Sequence, residues 1–219
     1  MSAKKSNDPT EQERLQMEEN LAEFERWISA LKDYHMADWN SLPEIDLYMD
    51  QVVNYMDRQL TPLKTDEEEK LLTPAMINNY VKFNTLPKPE GKKYSKRHLG
   101  RLFPLTILKQ CLPLPVIGRA IGDFRSMLTG QTAYERYCKL QTEAFNHIAS
   151  RALEIEGETA EEKINRLEIF AFEIATEAVA LRLVAERILK MVMVEEKEKE
   201  EAKKVKKETE KEKLKELKS

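Results

Sequence analysis

The segment after Gly157 is the part of the sequence that most constrains the fold. Apolar residues recur there at alternating spacings of three and four, at Ile164, Leu167, Ala171, Ile174, Ala178, Leu181, Ala185, Ile188 and Val192. This spacing is typical of a helix with a continuous apolar seam, here about four heptads long. The chain contains only 6 glycines and 9 prolines, with no sustained strand-like alternation. These features predict an all-α fold with at most a small hairpin.

The predicted seam has two candidate partners. One is a helix predicted over 134–155, which would pack against the seam as an antiparallel hairpin within the chain. The other is a second copy of the chain, which would make 160–194 a homodimer interface. The small residues of the seam allow close helix approach in both arrangements, so the sequence leaves both open. Beyond the seam, 195–219 alternates Glu and Lys, which predicts a solvated tail or a frayed helix extension.

The first part of the chain contains two predicted helices. Residues 1–12 are polar and predict a disordered tail, and 11–34 has the apolar spacing of an amphipathic helix, so 1–40 forms an N-terminal region. Ser41, Pro43 and Glu44 then resemble an N-cap, a first-turn proline and a capping box. They predict that the next helix occupies about 45–56.

The segment "LLTPAMINNYVKFNTLPKPEGKKYSKRHLGRL" combines a short helix with a basic loop. Thr73 and Pro74 predict the start of a helix over 74–83, and Asn84 predicts its left-handed C-cap. Two prolines and a glycine exclude a helix in "LPKPEGKKY", and Ser95 is predicted to cap the helix that follows. We call residues 87–96 the wing.

The charge distribution points to a polyanion-binding surface. Residues 71–125 contain ten basic and two acidic side chains, a net charge of +8 in a chain whose total is −3. Residues 41–70 contain eight acidic and three basic side chains, a net charge of −5. A basic module beside an acidic flank is typical of a protein that binds nucleic acid.

The order helix, connector, short helix and wing predicts a winged helix-turn-helix domain over 41–125. A helical region at 130–194 and the charged tail at 195–219 follow it. "TPAMINNYVKFNTLPKPEGKKYSKRHLGRL" resembles the winged helix of MerR-like transcriptional regulators. Through "LTPAMINNYVK", "KKYSKRHL" and "LTILKQCLPL" it is closer still to an uncharacterised bacterial domain family, over about 45–124. The resemblance implies a MerR-like domain with a small hairpin wing, an N-terminal helix and long C-terminal helices.

The resemblance also implies roles for individual residues. Ile77 and Val81 would face the core of the module. The DNA-binding residues would be Asn78, Asn79, Tyr80, Lys82, Lys88, Lys92, Lys93, Tyr94 and Lys96. The asparagines could read bases on the recognition helix or could be ordinary surface residues, and Tyr80 could equally be a core tyrosine. The lysines and Tyr94 would bind phosphates. MerR-like proteins usually have an arginine where Asn78 stands, so one phosphate clamp is missing.

Several function classes are not indicated. The sequence has no Gly-rich phosphate loop, HExxH motif or nucleophile elbow, so we expect no enzyme and no cofactor. His35, His98 and His147 occur singly, which predicts no metal site. Cys111 and Cys138 show no paired spacing, and Cys138 is interpreted as a small buried hydrophobe.

The sequence also favours one location and one function. No signal peptide and no run of about 18 apolar residues is present, which predicts a cytoplasmic protein away from membranes. The preferred function is a transcriptional regulator that binds duplex DNA. The alternative is a protein-interaction module that uses a winged-helix scaffold without DNA.

Overall fold

The computed structural model describes the backbone of residues 10–66, 68–127 and 130–216, and the side chains of these ranges except those of 122–127 and 193–216. This part of the chain forms seven α-helices and one two-stranded sheet, which confirms the predicted all-α class. The elements in chain order are α1 Glu11–Lys32, β1 Leu47–Tyr48, α2 Met49–Leu60, α3 Pro74–Lys82, β2 Lys93–Tyr94, α4 Lys96–Leu108, α5 Leu114–Met127, α6 Gly130–Leu153 and α7 Ala160–Glu216.

Local capping signals fix most helix starts. Thr10 caps α1 in a capping box with Glu13, which sets the start of the predicted N-terminal helix. The predicted caps Thr73 and Ser95 are confirmed at α3 and α4. Asn84 has the predicted left-handed backbone, with φ of 56°. The predicted disordered tail lies mostly in residues 1–9, outside the described residues.

The predicted start of the second helix is wrong. Ser41 ends a 3-10 turn, Trp39–Ser41, and α2 begins only at Met49, where the Gln51 side chain accepts the Tyr48 N–H at 2.9 Å. The residues immediately before Met49 form β1, which pairs antiparallel with β2 of the wing. Ile45, predicted to lie in the helix stripe, is instead 74% exposed. Strand pairing with the wing therefore overrides the local capping pattern.

The main core surrounds α4, in which eight consecutive or near-consecutive residues are buried. Phe103 lies at its centre, with its ring centroid 6.4 Å from that of Tyr55 on α2 and 6.0 Å from that of Tyr134 on α6. The Tyr134 hydroxyl also donates to the Ala37 carbonyl at 2.7 Å. The main core thus extends beyond the boundary predicted at 125, because α6 supplies one of its aromatic walls.

A second core joins α1, α6 and α7. Its buried members are Ile28 and Leu31 from α1 and Ala149 and Ala152 from α6. Trp27 of α1 connects this second core to the segment after α2, because its indole N–H donates to the Lys64 carbonyl at 3.0 Å. Helix α6 therefore contributes side chains to both cores and connects them.

Helix α7 packs against α1 and also contacts α5, and Arg182, Glu186 and Leu189 in its later part are half-buried. Lys163 pairs with Glu25 of α1 at 2.6 Å, and Arg151 of α6 pairs with Glu177 at 3.2 Å. Farther along, Leu181 and Ile188 of the predicted seam are exposed. The charged segment predicted as a tail continues α7 to Glu216, and 217–219 lie outside the described residues. Within the described ranges, no helix has an apolar stretch long enough to cross a bilayer.

Candidate nucleic-acid interface

Helix α3 presents one polar stripe to solvent. Thr73 accepts the Met76 N–H at 3.3 Å, and Pro74 occupies the first turn, where its missing N–H costs nothing. Ile77 and Tyr80 are buried three residues apart and fix the inward face. The exposed positions follow at helical spacing and are Ala75, Asn78, Asn79 and Lys82. The structure therefore presents two of the predicted base-reading side chains and one predicted phosphate contact on the same face.

Two predicted DNA contacts are core residues. Tyr80 is 3% exposed, and burial raises the pKa of its hydroxyl to about 12. Tyr94 is equally buried, because its strand position opposite Leu47 turns the ring inward onto His98. Neither ring is available to a duplex, so the prediction that Tyr80 and Tyr94 contact DNA is wrong. The predicted core positions Ile77 and Val81 do pack inward.

The wing is a hairpin that follows α3 after a short turn. The Tyr80 carbonyl accepts the N–H groups of both Thr85 and Leu86, at 2.9 and 3.0 Å, which turns the chain away from the helix. The hairpin closes where the Lys93 N–H donates to the Glu90 carbonyl at 2.9 Å. Gly91 and Lys92 between them have φ of 53° and 63°, the pattern of a type I′ turn. The wing lysines therefore sit on a geometrically defined tip.

Lys92 occupies a backbone conformation that suits glycine or asparagine better than lysine. We expect Lys92→Gly to raise the free energy of unfolding by about 0.5 kcal/mol, since relief of the left-handed strain outweighs the extra flexibility of the unfolded chain. Urea denaturation measures this change.

The neighbouring Lys93→Gly is the matched control. Lys93 lies in β2, so its replacement is expected to lower the free energy of unfolding by about 0.5 kcal/mol. Equal destabilisation by both variants would contradict the strained turn.

His98 anchors the wing to α4. The Ser95 N–H donates to its Nδ1 at 3.0 Å, and the ring meets Tyr94 edge-on at 5.6 Å between centroids. Burial lowers the pKa of His98, and the nearby carbonyls of Lys88 and Pro87 together with the carboxylates of Asp46 and Glu90 oppose the shift. The neutral imidazole is therefore the form that the folded wing holds.

This lowered pKa predicts acid sensitivity. The unfolded chain binds a proton on His98 below its ordinary pKa of about 6.5, whereas the folded chain resists it. The contribution of His98 to stability is thus complete above that pH and is lost as the pH falls through the folded-state pKa. We expect the melting temperature to drop more between pH 7 and pH 5 in the natural chain than in His98→Asn, which keeps an acceptor for Ser95. Parallel pH profiles for the two proteins would refute this role.

Four lysines give the interface its charge. Lys82, Lys88, Lys92 and Lys93 are exposed and make no ion pair with any residue that the structure describes. The Lys93 ammonium lies 5.2 Å from the centre of the Tyr48 ring. Residues 74–94 contain these four lysines and one carboxylate, that of Glu90, for a net charge of +3. Their charges are available to a polyanion.

Lys96 is positioned differently from the other predicted phosphate contacts. It is half-buried, its ammonium lies 5.5 Å from the centre of the Trp39 ring, and it is 4.0 Å from the Glu44 carboxylate. Its charge is therefore directed towards the chain before β1. Arg97, exposed in the next position, was outside the predicted site and is a better candidate. Arg97 is one of the ten basic residues counted over 71–125, so the sequence already indicated it as a candidate.

The described residues offer little for metal or thiol chemistry. Over the ranges given above, no three His, Cys, Asp or Glu side chains cluster as metal ligands. Burial raises the pKa of the Cys138 thiol to about 11, so it stays protonated at neutral pH. Cys138 packs against the main core, in agreement with its interpretation as a small hydrophobe.

Comparison with known proteins finds one family model that matches the region containing α3 and the wing. No curated protein and no solved structure matches the chain. Residues 37–139 match the family described as Domain of unknown function (DUF1836). This span contains the predicted uncharacterised domain at 45–124. It also includes both partners of the hydrogen bond from the Tyr134 hydroxyl to the Ala37 carbonyl. A DUF1836 domain of unknown function therefore covers residues 37–139, with α3 and the wing inside it.

Proposed function

We propose that the domain is a MerR-like winged helix-turn-helix that binds duplex DNA and acts in transcriptional regulation. The order of elements supports this proposal: a short strand, two helices, a hairpin whose second strand returns to the first, and then another helix. In such a module the second helix enters the major groove and the wing contacts the flanking backbone. Here these parts are α3 and the hairpin tip.

The observation that carries the proposal is the set of exposed lysines without ion-pair partners in the described structure. Each cation that neutralises a phosphate releases condensed counterions, which supplies sequence-independent affinity. Lys92 and Lys93 lie on the hairpin tip, and Lys82 lies at the end of α3. The charges of these lysines are therefore free to act on phosphates rather than on neighbouring carboxylates.

Asn78 and Asn79 supply whatever base reading the domain performs. Both are exposed on the stripe that also carries Lys82, and an asparagine amide can bond adenine N6 and N7 together. The burial of Tyr80 leaves no aromatic side chain on the middle of this stripe. Specificity would therefore be modest, and phosphate contacts would dominate the affinity.

The left-handed backbone at Lys92 gives independent support. A lysine there costs stability that glycine or asparagine would avoid, and it places a charged side chain at the hairpin tip. Residues held in unfavourable backbone conformations cluster at functional sites.

A protein-docking function is the second candidate. Two large apolar side chains in the domain are unusually exposed, Ile45 at 74% and Phe83 at 64%. Exposed apolar side chains of this size suit a protein partner better than a phosphate backbone. On this alternative the lysines would bind an acidic partner.

A comparison of duplex and single-stranded DNA tests the proposal. Labelled random-sequence duplex and one of its strands are titrated separately by fluorescence anisotropy at low salt. A helix that enters the major groove predicts at least about tenfold tighter binding of the duplex. Equal binding of both forms would reduce the domain to a general polyanion binder, and no binding of either would favour protein docking.

A further inference from the structure

Helix α7 exposes an unusual amount of apolar surface. Eight of the large exposed hydrophobic side chains in the described residues lie on it, namely Ile169, Phe172, Val179, Leu181, Leu183, Val184, Ile188 and Met191. Half-buried Ile164, Leu167 and Ile174 show that the first part of the same helix already packs against the body of the molecule. A helix that is apolar on several faces is normally covered on more than one of them.

The outward face has the spacing of a coiled-coil seam. Ile169, Phe172, Thr176, Val179 and Leu183 follow one another at intervals of three, four, three and four residues. They occupy successive a and d positions of a heptad, and they differ from the residues of the 164–192 seam. Phe172, the largest of them, is 72% exposed. The stripe is about 21 Å long, which suits a helix of similar length as its partner.

We propose that a second copy of this chain covers the stripe, with the two α7 helices antiparallel. The charge along α7 supports this choice. Residues 160–177 contain five glutamates with Lys163 and Arg166, a net charge of −3. Residues 178–192 contain three basic residues with Glu186, a net charge of +2. Antiparallel pairing places the acidic half of each helix beside the basic half of the other.

The positions beside the stripe determine the orientation more sharply. Glu168 and Arg182 are g positions, and Glu173 and Arg187 are e positions, when Ile169 and Leu183 are a positions. In a parallel pair, a g side chain faces the e side chain of the following heptad on the other copy. That arrangement would place Glu168 opposite Glu173 and Arg182 opposite Arg187. Both contacts would be repulsive.

In an antiparallel pair, g faces g and e faces e. A two-fold axis at Ala180 then places Glu173 of each copy opposite Arg187 of the other, because these two positions lie seven residues on either side of Ala180. This contact occurs twice in a symmetric dimer, so two opposite-charge pairs flank the helix contact. Ala175 and Ala180, a g and an e position near the axis, are small and leave room for the helices to approach. This dimer does not depend on whether the domain binds DNA.

Molar mass as a function of concentration tests self-association. The full chain is analysed by sedimentation velocity, and we expect a dimer with a dissociation constant of about 10 μM from an interface of this modest size. Phe172→Glu places a charge in the stripe and is expected to yield a monomer. At concentrations below the dissociation constant, its melting temperature should equal that of the natural chain, since Phe172 is largely exposed. The control is Leu140→Glu, which alters an exposed apolar residue on α6 and should still dimerise. A monomer at all concentrations, or a dimer unaffected by Phe172→Glu, would overturn the proposal.

Charge reversal tests the orientation. Glu173 and Arg187 make no ion pair within the described residues, so their replacement leaves the monomer intact. In the antiparallel dimer, Glu173→Arg or Arg187→Glu alone should weaken association about tenfold, and the double reversal should restore it. In a parallel dimer, either single reversal would relieve a repulsion and strengthen association. Strengthening by the single changes would therefore overturn the antiparallel arrangement.

Discussion

The Lys92→Ala/Lys93→Ala variant is expected to bind random-sequence duplex at least about tenfold more weakly at moderate salt than the natural chain. Both side chains are exposed at the hairpin tip that the Glu90–Lys93 turn forms, and neither has an ion-pair partner in the described structure. Removing two phosphate contacts should also reduce the steepness of the salt dependence by about 1.8 in log–log slope. Anisotropy titrations at several salt concentrations measure both effects.

A matched variant separates wing contacts from overall charge. Arg136→Ala/Lys139→Ala removes the same two charges from exposed positions of α6, where alanine is favourable for the helix. It should retain nearly the affinity and slope of the natural chain. Equal losses in the two double variants would show that binding follows total charge and would contradict a specific role for the wing.

Phe103→Ala is expected to lower the free energy of unfolding by about 4 kcal/mol. Phe103 is fully buried on α4, and its ring contacts aromatic partners on α2 and α6. A cavity at this position would weaken the packing of α4 against both α2 and α6. Urea denaturation followed by circular dichroism should show the loss.

Phe83→Ala is the control for this change. It removes the same atoms from a side chain that is 64% exposed, so the expected change in unfolding free energy is within about 0.5 kcal/mol. A loss below about 1 kcal/mol in Phe103→Ala would contradict its central place in the core. A loss in Phe83→Ala as large as that in Phe103→Ala would do so as well.

Local signals predicted much of the fold. Caps at Thr73 and Ser95, the left-handed Asn84 and the helix-breaking prolines act over a few residues, so the sequence pattern and the structure agree there. The error at Ser41 has the opposite cause. The pairing of Leu47 with Tyr94 joins positions far apart in the chain, and a local capping pattern carries no information about it.

The candidate site was predictable to a similar degree. Exposed lysines follow from composition, because charged side chains are rarely buried without partners. The inward direction of Tyr80 follows once Ile77 defines the buried face of α3, since residues three apart share a helix face. The inward ring of Tyr94 required the strand register, and the position of Lys96 required its contact with Trp39.

The long C-terminal helix illustrates a different limit. Its spacing predicted a seam, but two interleaved apolar stripes share the same segment, one facing the body and the other facing solvent. The sequence alone could not separate them. The exposure of Phe172 together with the partial burial of Ile174 makes the distinction.

The central claim is that exposed wing and α3 lysines bind a nucleic-acid backbone, and the salt dependence of duplex binding by the natural chain tests it most directly. The dissociation constant for random-sequence duplex is measured from low to moderate salt. Four lysine–phosphate contacts per chain predict a log–log slope for the association constant of about −3 to −4. Absence of binding at the lowest salt, or a slope near zero, would contradict the account.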